Sequence, residues 1–496
     1  MSTLGALYRH SLSLLTDLYQ LTMACGLWKA GLAEREAVFH LYFRNNPFGG
    51  GFAIAAGLQT VLEYLQLHAF ADDDLAYLST LTGADGRPLF EPGFLNFLQQ
   101  TPLRCDVDGV EEGRLVFPTE PLLRVRGPLY QCQLLETPLL TLINFQTLIA
   151  TKACRVCLAT EGEPVLEFGL RRAHGVDGAL AASRAAYLGG CEATSNVLAG
   201  KLFGIPTRGT HAHSWVMAFD DEREAFAAYA DAMPGNGVFL VDTYDTVQGV
   251  RHAIEQGQRL RAQGQKLLGV RLDSGDLAQL SIVARQLLDE AGFADAAIVA
   301  SNDLDEGLIS SLKRQGARIN VWGVGTKLVT AFDQPALGGV YKLGAIRRQD
   351  GAWQYKVKLS EQEVKVSTPG VQQVRRYRGQ GGYLADLILD QDCRDPRQGV
   401  LTDPTLASRN LELPADASWQ ELLVPVLRQG QVVYTPPPLS RSRQLVHEEL
   451  AWLSPGSKRF DNPARYPVAL ERSLHELKMR LIDEARQAQR SPQGGR

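Results

Sequence analysis

The sequence has no excess of positive charge. Its 496 residues carry 51 Lys and Arg against 55 Asp and Glu, a formal net charge of −4, whereas a surface that binds nucleic acid through its phosphates needs a clear cationic surplus. Nucleic acid is therefore excluded as the main partner, and any basic site must be local. A long apolar run is also missing: no stretch reaches the roughly 20 residues that a spanning helix requires, and the N-terminus shows no basic segment followed by an apolar core and a small-residue cleavage site. These absences point away from a membrane partner and towards the cytoplasm. Cysteine is scarce and scattered. The seven (Cys25, Cys105, Cys132, Cys154, Cys157, Cys191 and Cys393) are an odd number in a large chain, which suits reduced thiols better than a disulfide framework. Cys154 and Cys157 form a CxxC without a second pair, so buried thiols are the simpler reading. There is no internal repeat.

What is present is ample apolar content, 45% of the residues, in a chain long enough for two or three domains. Residues 1 to about 140 mix a helix-like segment at 14–30, a strand-like Ala37–Phe43, a helix-like stretch at 57–68 and extended pieces near 105–134, the texture of an α+β domain. Residues 141–339 contain short apolar strands separated by amphipathic helices. Strand candidates are Val165–Phe168, Ala193–Val197, Ile205–His213, Val238–Asp242, Leu267–Leu272, Ala297–Ser301 and Ile319–Gly323. One intervening helix starts at Asp276, aligns Leu280, Val283, Leu287 and Leu288 on one stripe and ends at Gly292. The later strands recur at the length of a βα unit, so the expected architecture is an α/β barrel. Beyond residue 340 the chain turns extended and basic, and these strands complete the N-terminal domain over about 340–430. Residues 431–496 read as a C-terminal extension with a helix-like tail at 466–488 and a disordered polar end from Arg490.

A barrel places its chemistry at the C-terminal ends of its strands. Polar residues gather there at Phe168–Arg172, Thr210–Ser214, Asp242–Thr243, Arg271–Asp276, Ser301–Asp303 and Gly323–Lys327. Gly209-Thr-His-Ala-His-Ser-Trp215 is the densest. On a strand, alternation sets His211 and His213 on one side and Thr210, Ala212 and Ser214 on the other, which leaves open a histidine pair that binds metal or two buried structural imidazoles. Gly323, Gly325 and Thr326 form a GxGT that can cradle a phosphate with backbone N–H groups and a hydroxyl, or simply make a tight turn. Arg271, Asp273 and Asp276 add a cation for an anion and carboxylates for ribose hydroxyls or Mg2+, unless Asp273 only caps a helix. Together these segments describe a phosphorylated, hydroxylated anion as ligand.

Several ordered motifs closely resemble those of the nicotinate phosphoribosyltransferase family over roughly the first 370 residues: Leu15–Met23 (LTDLYQLTM), Phe39–Gly51 (FHLYFRNNPFGGG), Glu167–Arg172, Thr194–Gly200, Gly209–Ser214, Arg271–Leu277, Ser301-Asn302 and Gly323–Thr326. The resemblance implies formation of nicotinate mononucleotide and pyrophosphate from nicotinate and phosphoribosyl pyrophosphate (PRPP), coupled to ATP hydrolysis, at the entry of NAD salvage. It implies a homodimer with sites at the interface, Mg2+ accompanying PRPP and ATP, and an irregular TIM-like α/β barrel with an N-terminal α/β domain. Carried onto this chain, it makes His213 the phosphohistidine and His211 a variable position. Tyr19, Thr210 and Arg271 become nicotinate contacts, Phe168 stacks on the pyridine opposite a Tyr19 from the second subunit, and Arg171 lies beside pyridine and phosphate. Asp273 is a catalytic position, with Ser301, Asn302, Gly323, Gly325 and Thr326 around PRPP. A neutral Asn196, where nicotinamide-using relatives carry an acid, favours the acid substrate. The alternatives are a nicotinamide or quinolinate phosphoribosyltransferase, a catalytically silent nucleotide-binding barrel, and a metal hydrolase using His211 and His213.

Overall fold

The computed structural model describes residues 12–360, 366–391, 401–402, 410–411, 413–414 and 416–490. Cys393 and the polar end beyond Arg490 lie outside them. The chain divides into two compact units, residues 148–335 and a discontinuous unit of residues 1–147 and 336–496.

In the unit of residues 148–335, six parallel strands alternate with helices: β1 (Val165–Glu167), β2 (Ala193–Thr194), β3 (Val238–Leu240), β4 (Gly269–Leu272), β5 (Ala297–Ala300) and β6 (Val321–Val324). They lie in the order β2-β1-β6-β5-β4-β3. Strands buried on both faces read as continuous apolar runs, as Val299, Ala300, Trp322 and Val324 do here. The expected strand Ile205–His213 is not a regular strand. Pro206 and Thr207 form one parallel bridge with Thr194 on β2, and the chain then leaves the sheet in a loop. That segment meets both edges, because the imidazole of His211 accepts a hydrogen bond from Leu240 N–H on β3 at 3.2 Å. Helix caps account for part of the polarity at strand ends: Asp276 accepts from Gln279 N–H, Asp245 from Gln248 N–H and Asp305 from Leu308 N–H. Asp276 begins the helix Leu277–Glu290, and Gly292 follows it with φ +75°. Asp273 has no part in the cap.

The second unit is built on an antiparallel sheet of seven strands, in the order 353–355, 339–347, 36–43, 123–128, 106–110, 423–428 and 431–432. Strands from beyond residue 336 thus flank the N-terminal ones. The extended reading of 105–134 ends at Pro128, where the helix Leu129–Leu134 begins. The tail also differs from its helical reading: Val468–Leu470 is a strand parallel to Gly382–Asp390, and the helix starts at Arg472. Gln431–Val432 and Val468–Leu470 therefore contribute to the sheets of this unit. Gly382–Asp390 also pairs with the strand Gln372–Gly379, on which Arg376, with no exposed side-chain surface, pairs with Asp386 at 2.5 Å and Glu449 at 2.8 Å. A guanidinium stripped of water needs that complete set of acceptors.

His40, in the middle of the strand Glu36–Phe43, is 1% exposed and accepts a hydrogen bond from Gln372 N–H at 3.1 Å. Burial, reinforced by Arg124, pushes its pKa down to about 3 from 6.5. The unfolded chain binds a proton below about pH 6.5 that the folded chain refuses, so acid removes stability, by about 1.4 kcal/mol per pH unit until the folded value is reached. A His40→Gln variant keeps a neutral acceptor. Urea unfolding at stepped pH should show its stability falling less steeply than the wild type's between about pH 6 and pH 4.5.

Candidate active site at the strand ends

The sheet delivers its polar residues to one end, and a single guanidinium organises them. Arg271, the third residue of β4, is only 13% exposed at the side chain. Its Nη1 donates to Thr210 Oγ1 at 3.0 Å, its Nε to Ser301 Oγ at 2.9 Å and its Nη2 to Asp273 Oδ1 at 3.0 Å. Thr210 arrives on the loop between β2 and β3, Ser301 directly after β5 and Asp273 directly after β4. Burial raises the Asp273 carboxyl's affinity for a proton, but the Ser301 hydroxyl and the Arg271 charge outweigh it and hold the pKa below the usual value. The carboxylate is thus ionised, and a guanidinium has N–H donors beyond the three engaged here. Cζ of Arg271 stands 5.7 Å from the Phe168 ring centroid, so the cation borders an aromatic face.

The two histidines do not share a side. His211 is 7% exposed, with its ring 4.8 Å from Tyr229 and near Phe226 and Phe239. Its pKa falls to about 4, first through burial. His213 opens the short helix His213–Met217 and is 40% exposed at the side chain. Its Nδ1 meets Thr243 Oγ1 at 3.1 Å, and its Nε2 lies 3.7 Å from Asp273 Oδ2. The turn from extended backbone at Ala212 into the helix at His213 separates the pair, so they do not converge on a common metal. Among the described residues no group of three His, Cys, Asp or Glu side chains is arranged to hold one.

Phe168 follows β1, and its N–H bonds Val324 O at 2.8 Å. A Cβ on Gly323 would meet Cδ2 of the Phe168 ring at 2.8 Å, so this glycine makes room for the aromatic ring. Gly325 precedes the four-residue helix Thr326–Val329, whose first residue, Thr326, is partly exposed. Behind Phe168 lies the buried carboxylate of Glu167. It accepts from Gly169 N–H, from Ser183 Oγ at 2.8 Å and from Thr194 Oγ1 at 2.5 Å, which locks the turn carrying the ring. Asn196, the neutral residue expected to favour the acid substrate, is turned inward. It is 2% exposed, accepts from Ala199 N–H as a helix cap and donates to Ser183 at 3.2 Å, so its carboxamide is consumed inside the fold.

Arg171 is exposed on the short turn after Phe168. Asn302 and Asp303 leave β5 with φ of +92° and +40°, a left-handed path that Asn and Asp tolerate best among residues with a side chain. Tyr19 belongs to the other unit, on the helix Leu18–Lys29, where it is 48% exposed beside exposed Leu18 and Met23. Sequence reasoning gave no role to Thr243, which holds His213, or to Asp242, whose Oδ2 accepts from Asp273 N–H at 3.1 Å and Ser274 Oγ at 2.5 Å. Their position directly after β3 is the signal that marks them.

Residues 14–144 match the nicotinate phosphoribosyltransferase (NAPRTase) N-terminal domain, residues 164–354 the nicotinate phosphoribosyltransferase (NAPRTase) family and residues 372–478 the nicotinate phosphoribosyltransferase C-terminal domain. Over 489 residues the chain is 44% identical to nicotinate phosphoribosyltransferase of Bacillus subtilis strain 168, covering 96% of each chain. It is 37% identical over 526 residues to nicotinate phosphoribosyltransferase of Homo sapiens, covering 94% of this chain and 95% of the human one. The crystal structure of human nicotinic acid phosphoribosyltransferase superimposes with a TM-score of 0.81 at 35% identity, over 94% of this chain and 99% of that one.

The packing of Phe168 on Gly323 can be tested without touching a polar group. Gly323→Ala should displace the ring and lower kcat/KM at least about tenfold, while the unfolding midpoint falls by only the few degrees expected for one overpacked methyl. Steady-state kinetics beside a thermal melt separate the two effects.

Proposed function

The chain belongs to the nicotinate phosphoribosyltransferase family, and on that premise we propose that it joins nicotinate to the ribose of PRPP, yielding nicotinate mononucleotide and pyrophosphate at the entry of NAD salvage. The observation that carries this reading is Arg271 held beside the Phe168 ring with Thr210 on its flank. A flat aromatic acid needs a ring to stack on and a cation with a neutral donor for its carboxylate, and these side chains offer both. Arg171 adds cationic charge on the exposed turn that follows.

In the transfer the pyridine nitrogen bonds to the ribose anomeric carbon as the bond from that carbon to the pyrophosphate oxygen breaks, through a state of oxocarbenium character. No protein nucleophile attacks the sugar. Phe168 and Arg271 position the pyridine, while Ser301, Asn302, Gly323, Gly325 and Thr326 line the strand ends where PRPP would lie, and positioning supplies most of the rate. Mg2+ would come with the pyrophosphate. The oxygens that could face it are Asp273 Oδ2 and Asp242 Oδ1, the latter buried without a hydrogen-bond partner. Bound there, the ion would neutralise leaving-group charge.

His213 is the ATP-coupling residue in this reading. Its half-exposed imidazole would accept the terminal phosphoryl group of ATP, releasing ADP, and later yield it to water as phosphate. The added negative charge beside Asp273 would reorganise the strand ends around PRPP and Mg2+. The active form would be a homodimer in which Tyr19 of one copy faces Phe168 of the other, consistent with the exposed apolar side of its helix. No helix among the described residues is long and apolar enough to cross a membrane, and the reading places the enzyme in the cytoplasm.

Incubation with PRPP, Mg2+, labelled ATP and either nicotinate or nicotinamide tests the substrate and the coupling together. Nicotinate should be converted at least about a hundredfold more efficiently, the scale of discrimination when a buried cation loses its anionic partner, and acid-labile label should appear on the wild type. His213→Ala should lose both the label and the stimulation by ATP yet keep slow uncoupled turnover. Preference for nicotinamide would overturn the substrate, and ATP stimulation that survives in His213→Ala would overturn the coupling.

A further inference from the structure

His211 is the buried histidine that the proposed chemistry leaves idle. Its surroundings are specific. The segment from Thr207 to His213 is fastened at three points: the bridge from Thr207 to Thr194 on β2, the bond from Asn236 Nδ2 to Gly209 O at 3.2 Å, and the bond from Leu240 N–H on β3 to His211 Nε2. Leu240 is 1% exposed and lies on the edge strand β3, which pairs with β4 on its other side. A buried strand-edge N–H needs an acceptor, and here a side chain supplies it where a neighbouring strand would otherwise do so. Tyr229, which walls the ring at 4.8 Å, also receives the other bond of Asn236, at 2.7 Å, so two of the three fastenings share one cluster.

We propose that His211 is a positioning residue for substrate recognition: its imidazole ties the loop to the edge of β3 and thereby holds the adjacent Thr210 hydroxyl against Arg271. Thr210 Oγ1 donates to the carbonyl of His211 at 3.2 Å while it accepts from Arg271 Nη1 at 3.0 Å. The backbone of the histidine therefore sets the direction of that hydroxyl, and the ring sets the backbone. Acceptance from Leu240 N–H requires an unprotonated Nε2, which places the ring hydrogen on Nδ1. Burial that lowers the pKa to about 4 keeps the ring in this accepting form at neutral pH. The inference rests on the reading in which Thr210 and Arg271 receive nicotinate.

The test is steady-state kinetics on the full-length enzyme with His211→Phe, which refills the aromatic cluster without an acceptor, and His211→Gln, whose Oε1 can reach the Leu240 N–H. Loss of one well-directed hydrogen bond corresponds to about a tenfold change. His211→Phe should raise the KM for nicotinate by about that factor with the KM for PRPP unchanged, and His211→Gln should recover most of the loss. A purely structural histidine would lower the active fraction and so kcat, leaving both KM values in place; that pattern, or an unaltered nicotinate KM, overturns the inference. The wild type gives a second measurement if the Phe variant fails to fold. Nitrogen NMR on ring-labelled protein should show His211 as the Nδ1–H tautomer, and an Nε2–H tautomer contradicts the tether. Thr210→Val and Arg271→Ala separate the two levels: if neither raises the nicotinate KM the underlying reading fails, whereas if both do and His211→Phe does not, only the tether falls.

Discussion

The guanidinium of Arg271 donates to side chains that reach it from three places, the β2–β3 loop and the ends of β4 and β5. Each of those bonds is directional, so together they set the plane of the cation and the distance of the loop from the sheet. Neither charge of the pair with Asp273 is tolerable alone in a half-buried site, which makes the arrangement an obligate unit. The consequence extends outward. Asp273 places a carboxylate oxygen by His213, Thr210 joins the guanidinium to the backbone of His211, and the Phe168 ring borders the cation because Gly323 leaves space for it.

The polar strand ends were legible because the parallel strands are short apolar runs, and a strand of this kind must discharge its polar residues where it stops. The N-terminus of the helix after Asp276 was readable from its cap and its stripe of Leu280, Leu287 and Leu288. The segment 205–213 was not, since its β-branched and small residues give the composition of a strand while the pairing partner on one side is a single side chain. Composition carries no information about that. Val468–Leu470 was hidden for a related reason: three apolar residues next to a long amphipathic helix look like its first turn, and only the non-local strand Gly382–Asp390 makes them extended.

At the site itself, residue types were readable and partners were not. A GxGT is compatible with a phosphate cradle, but that the missing Cβ of Gly323 also leaves space for the ring of Phe168, far earlier in the chain, is a relation that no local pattern encodes. The neutrality of Asn196 is legible, but that its carboxamide caps the helix that follows is not. Aspartates at strand ends divide in the same way. Asp245, Asp276 and Asp305 serve as caps, while Asp242 accepts from the backbone N–H of Asp273 across adjacent strand ends and neither of these two caps a helix.

In the proposed reading the site separates three tasks on neighbouring strand ends: an aromatic and cationic seat made by Phe168, Thr210 and Arg271, a histidine beside Thr243 and Asp273, and a buried histidine that holds the loop between them. The central claim is the seat. A crystal structure of the full chain with nicotinate mononucleotide tests it most directly. The account predicts the pyridine ring stacked on Phe168 with its carboxylate on Arg271 and Thr210, and a mononucleotide bound with its carboxylate turned away from Arg271 would contradict it.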